Sequence, residues 1–124
     1  MLTKIPRNEW REALQAFTER NAGRTTAIEV DDTSIGAQRQ ETDFELRGVA
    51  YDSRDDRIEI MLGPLEGPAP HLTHTLGSVE ELDLITNEAG RDTVLRLRQE
   101  GRQTLLLIEQ PEALIEQPDV ASGA

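Results

Sequence analysis

The sequence predicts a mostly-β α+β domain. One N-terminal amphipathic helix packs on a strongly bent antiparallel sheet, or small open barrel, of about six to seven strands. Three observations predict this class. Apolar residues recur at helical spacing in only one segment, between Asn8 and Asn21. After Gly23 the period changes from about 3.6 residues to about 2. Turn-forming clusters then interrupt the chain at short intervals, as in a meander. A single helix cannot cover a wide flat sheet, so the sheet must curve to bury itself.

The helix comes first. Trp10, Ala13, Leu14 and Phe17 fall at i, i+3, i+4 and i+7, a single apolar stripe suited to packing on a sheet. Asn8 is placed to cap the first turn, and Glu9 suits the positive end of the helix. Gly23 suits a C-terminal cap.

Thr25 to Val30 is the first strand, and Asp31 to Gly36 (DDTSIG) is turn-like. Phe44 to Tyr51 (FELRGVAY) is the next strand, with Gly48 as a bulge or bend. The turn DSRDD, Asp52 to Asp56, leads into Arg57 to Leu62, where Ile58, Ile60 and Leu62 share a face. Gly63 to Pro70 is a loop rich in proline and glycine.

His71 to Leu76 is a short strand, and Glu80 to Thr86 another, with Leu82 and Leu84 on one face. Thr93 to Arg98 returns after the turn Asn87 to Asp92. A tight turn at Gln99 to Gly101 leads into Gln103 to Glu109. Leu105 to Ile108 is apolar on both faces, the mark of a central strand covered on both sides. The domain therefore spans 1–109. Residues 110–124, with two prolines and no period, read as a loose or partner-docking tail.

Composition narrows the function classes. The 124 residues carry a net charge of −11, and Lys4 is the only lysine. Such a chain is repelled by phosphate backbones and by anionic lipid, so neither nucleic acid nor membrane is expected as a partner. The four aromatics, Trp10, Phe17, Phe44 and Tyr51, leave little for base stacking. No apolar run approaches the roughly 20 residues of a membrane helix, and the opening MLTKIPRNEW shows no secretory signal. The absence of cysteine removes disulfides, thiolate nucleophiles and cysteine metal sites. A cytoplasmic location fits these features.

The segment PHLTHTLGS holds both histidines in an H-x-x-H spacing. Pro70 and Gly77 leave too few residues between them for a stable helix, and Thr73 and Thr75 favour a strand. Residues three apart in a strand point to opposite faces, so the two imidazoles are not expected to share an ion. His74 shares its face with Leu72 and Leu76 and reads as a core-edge histidine satisfied by hydrogen bonds. Its functional alternative is a general base or pH switch. His71 reads as solvated.

Asp52 fits an Asx turn better than a calcium loop, and Asp31 and Asp32 are similar. Arg96 and Arg98 lie on one strand face between Arg91 and Arg102, the only basic cluster. They either hold an anionic ligand or pair across strands with Asp or Glu. No phosphate loop, nucleophile elbow or paired catalytic residues appear. Thus no catalytic residue, metal or cofactor is assigned, and the candidate ligand-binding residues are His74, Arg96 and Arg98.

Several segments together carry a family resemblance. They are IPRNEW with a later Phe, IEIMLG, and HLTHTL followed by a valine and alternating acids. The closing hairpin GRDTVLRL with GRQTLLL completes the set. On these, residues 5 to 108 resemble an uncharacterised family of short bacterial proteins, a domain of unknown function. The resemblance implies a bacterial, cytoplasmic, single-domain protein and carries over no functional residue.

The first functional reading is a non-enzymatic, structural or regulatory β domain that binds a protein partner or its own copy. The apolar strand 105–108 and the tail residues Leu114, Ile115 and Val120 motivate it. The second is a small-ligand binder or enzyme with a pocket near His74. The third is an acidic nucleic-acid mimic, which requires carboxylates arrayed on one face.

Overall fold

A computed structural model describes residues 1–110, apart from the side chains of residues 39 and 40. The tail expectations at Leu114, Ile115 and Val120 lie outside the described residues.

One helix and eight strands follow in the order β1 (Leu2–Ile5), α1 (Trp10–Asn21), β2 (Thr25–Asp32), β3 (Gly36–Asp52), β4 (Arg57–Leu62), β5 (Leu72–Gly77), β6 (Glu81–Thr86), β7 (Asp92–Gln99) and β8 (Arg102–Ile108). They form one antiparallel sheet of order β1-β6-β7-β8-β2-β3-β4-β5. The sheet is open, since β1 and β5 are its two edges. The predicted class therefore holds, with more strands than the sequence suggested.

The bend is built into β3. Its residues Gly36 to Glu45 pair with β2, and Leu46 to Asp52 pair with β4. The register slips between Leu46 and Gly48, the bulge expected at that glycine. A Cβ on Gly48 would sit 3.1 Å from the Thr18 methyl carbon, so glycine lets α1 approach the strand here. The two halves of the sheet thereby face one core. Trp10, Leu14 and Phe17 from α1 meet Ile28, Leu46, Ile58, Ile60, Leu62, Leu82, Leu95, Leu97 and Leu106 in it. Burying so many large side chains supplies the main stabilising term, at about 25 cal/mol per Å².

Two local expectations at the helix start need correction. Asn8 lies in a 3-10 turn, Arg7–Glu9, and no side chain caps α1. Proline at position 6 and the tight turn after it move the start to Trp10. Trp10 is fixed instead by its indole N–H, which donates to the Ile5 carbonyl at 2.9 Å, and by an edge contact to Tyr51. At the other end Gly23 takes φ +88°, as a residue just past a helix often does.

β1 escaped the sequence reading because LTKI has no alternation. Only its pairing with β6, from Leu2↔Ile85 to Ile5↔Leu82, makes it a strand. The first half of β3, GAQRQETD, escaped for the same reason: it is polar and takes its conformation from β2. The turns behaved as their chemistry dictates. Asp52 Oδ1 accepts the Arg54 and Asp55 amides at 3.0 and 3.4 Å. Asp32 Oδ1 accepts the Ser34 amide and hydroxyl at 2.8 and 2.6 Å. These Ser34 bonds, with Arg102, hold the Asp32 carboxyl below its usual range.

Candidate functional site

The histidine strand is extended, as its flanking Pro and Gly dictate. Leu72, His74 and Leu76 face inward, and Thr73 and Thr75 are exposed. His71 precedes the strand and is exposed; its amide donates to the Leu62 carbonyl at 2.9 Å. His74 stands opposite Ile60, whose side chain is fully buried.

Across the core, Glu41 stands opposite the equally buried Ile28. His74 Nε2 and Glu41 Oε2 are 3.9 Å apart, a contact that spans the two halves of the sheet. Nε2 is buried and has no hydrogen-bond partner among the described residues. The expectation of a hydrogen-bonded histidine is thus wrong at that nitrogen: 3.9 Å is too long for a bond. Among the described residues, no group of three or more His, Asp or Glu is placed to hold a metal ion.

Arg96 and Arg98 lie on the opposite, outer face of the sheet, away from His74. The β6–β7 register sets Asp83 against Arg96 and Glu81 against Arg98. Arg96 donates to Asp83 Oδ2 through Nε and Nη2 at 3.1 and 3.0 Å. Asp83 is 1% exposed, and its second oxygen has no partner. Arg98 donates to Glu81, which also receives Lys4 Nζ at 3.0 Å. Hydrogen bonds from Lys4 and Arg98 hold the Glu81 carboxyl below the usual carboxylate range. The three residues singled out in the sequence therefore do not converge.

The outer face carries a second feature that strand pairing reveals. Leu2, Ile85, Val94, Leu107 and Ala27 are successive partners across β1, β6, β7, β8 and β2. They form one apolar row about 20 Å long at the usual strand spacing. Leu105 adds to it between Arg96 and Glu29. Leu2 is 50% exposed and the others are half-buried. No described element packs over them. Their apolarity was visible in the sequence only for β8, where both faces read as buried. The row itself depends on register, which a single strand does not disclose.

The model of the family of unknown function DUF5335 matches residues 1–117. The chain belongs to the DUF5335 family. This bears out the resemblance to an uncharacterised family. The match covers every strand among the described residues and continues past Gln110. No curated protein and no solved structure matches the chain. No helix among the described residues is long and apolar enough to cross a membrane.

Proposed function

We propose that this DUF5335 member is a small non-enzymatic β domain that binds protein through the outer face of its sheet, and that the occupant is a second copy of the chain. The observation that carries this reading is the apolar row Leu2–Ile85–Val94–Leu107–Ala27, which crosses five strands. A partly exposed apolar row flanked by polar residues is the usual anatomy of a docking surface.

Charge favours a like partner. The whole chain carries −11, yet the flanking rows hold Lys4, Arg96 and Arg98 against Glu81, Asp83, Glu29 and Asp31. Two such nearly balanced faces meet with little of the repulsion that the rest of the surface would impose. The five strands that carry the row, of about seven residues each, present roughly 550 Å² of flat surface, about two thirds of the ~800 Å² per partner of a standard interface. A two-fold pairing places the same row on both copies. The cysteine-free composition supports a bacterial cytoplasmic setting.

Light scattering after size exclusion, over a wide concentration range, tests the reading. The expected mass is twice 13.8 kDa, falling to 13.8 kDa in Val94→Arg with an unchanged melting transition. A wild type that stays monomeric throughout overturns it. If removal of residues 111–124 then shifts the Val94 and Leu107 amides, the tail is the occupant of the face.

A further inference from the structure

We infer that the cleft between α1 and the second half of β3 is a binding site for a small organic anion, a carboxylate or phosphate ester with an apolar body. Two guanidinium groups with no carboxylate partner among the described residues line this one cleft.

The cleft follows from the bend in β3. Past the bulge, β3 pairs with β4 on one edge only. The other edge faces α1. The Thr18 hydroxyl fills one position there, bonding both the amide and the carbonyl of Val49. Antiparallel strands alternate, so Tyr51 turns its own N–H and C=O toward the same edge. No described strand lies against it. The space left open has a volume of about 450 Å³, within the range of small-molecule sites. Met61 gives it an apolar floor, beside Gly48 and Ala50 of β3 on the same face. A second opening, sharing Arg11 and Tyr51, continues it toward Ser53.

The cations here are unlike most others in the protein. Arg7, Arg20, Arg57, Arg96, Arg98 and Arg102 each lie beside a carboxylate. Arg11 instead donates only to the Ser53 hydroxyl, at 3.0 Å. Arg47 donates through Nη1 alone, to the Pro64 and Ala69 carbonyls at 2.8 and 3.4 Å. A guanidinium carries five N–H donors. Each group is therefore held in place by a neutral acceptor while most of its donors stay available. Donors left over on a side chain already oriented by a neutral contact are available to an anion. Arg24 also donates only to neutral acceptors, Asn21 Oδ1 and the Glu109 carbonyl; what sets Arg11 and Arg47 apart is that both line one cleft.

The cleft has a polarity. Arg11 and Glu19 both line it, eight residues apart on α1, about 12 Å along the axis. The anionic group belongs at the Arg11 end, beside Tyr51 and Ser53, with the apolar body over Met61 and Ala50. Arg47 lies farther along β3 and adds a positive potential to the same space. The site does not involve the outer face of the sheet, so it stands independently of the pairing proposed above.

Amide and methyl NMR titration of the full chain tests this, with benzoate and phenyl phosphate as probes. Benzyl alcohol and inorganic phosphate serve as controls. The expected result is a saturable shift at Val49, Tyr51 and the Met61 methyl with both aryl anions. Affinity falls about tenfold in Arg11→Gln, and both controls bind more weakly. Shifts that are absent, spread over the surface, or unchanged in Arg11→Gln overturn the site. Equal binding of benzyl alcohol overturns the role of charge, and equal binding of inorganic phosphate overturns the role of the floor. Arg11 is exposed and makes one neutral contact, so the variant keeps the fold.

Discussion

The hydroxyl of Thr18 donates to the Val49 carbonyl at 3.1 Å and accepts the Val49 amide at 2.9 Å. One helix side chain thus satisfies both main-chain groups that a missing strand would have bonded. Thr18→Val keeps the shape and removes both bonds, leaving a buried strand residue unpaired. The expected cost is about 1–3 kcal/mol, read from urea denaturation. Thr18→Ser keeps the hydroxyl and is expected to lose less than about 1 kcal/mol.

Gly63 takes φ +137°, and a Cβ there would lie 2.8 Å from the His71 amide nitrogen. Neither strain nor clash can relax cheaply, because His71 N–H is bonded to the Leu62 carbonyl. Gly63→Ala is expected to cost at least about 2 kcal/mol. Gly36→Ala offers the comparison. Its φ is +85° but its surroundings are open, so only the backbone term of about 1 kcal/mol applies. Equal melting temperatures for the two variants would refute the steric account.

His74 places an unpartnered nitrogen among Leu72, Leu76 and Ile60. Replacing it by leucine removes a desolvated polar atom and keeps the volume. His74→Leu is therefore expected to be neutral, or stabilising by up to about 1 kcal/mol. A loss above about 2 kcal/mol would show that the imidazole supplies a bond the core needs.

Glu81 sits between Lys4 and Arg98, and its carboxyl titrates below its ordinary range. A depressed folded value means the contribution is present above the unfolded value of about 4.3 and is lost as pH falls through the folded one. Wild type should then exceed Glu81→Gln in stability at neutral pH. The gap should narrow as pH falls below the unfolded value and close once pH lies below the folded one. All three groups are substantially exposed, so the gap is small and shrinks with salt. Denaturation midpoints at several pH values would show it; a gap constant with pH would not fit.

What could be read in advance divides along a physical line. The strand of Ile58, Ile60 and Leu62 was legible because its burial repeats every second residue. The helix stripe and the turns at Asp32 and Asp52 were legible because local spacing and side-chain chemistry decide them. β1 and the first half of β3 were not, since partners distant in sequence impose their conformation. The same reason hid the cleft and the outer row. Arg11 and Arg47 look like any other cation until the fold withholds a carboxylate from them. Leu2 and Ile85 become neighbours only through pairing. His74 was placed on the correct face, but its missing bond could not be foreseen from residues beside it.

The seating of β8 between β7 and β2 has a consequence for how the chain is made. β2 must wait for residues 102–108, its partners from Thr26↔Ile108 to Asp32↔Arg102, before its second edge is occupied. During synthesis the β2–β3 hairpin emerges early, with Ile28 awaiting the opposite side of the seam. Such topology folds slowly, on the millisecond-to-second scale of non-local β proteins. Until β8 is made, the nascent chain carries an adhesive unpaired edge, a period in which chaperone capture competes with aggregation.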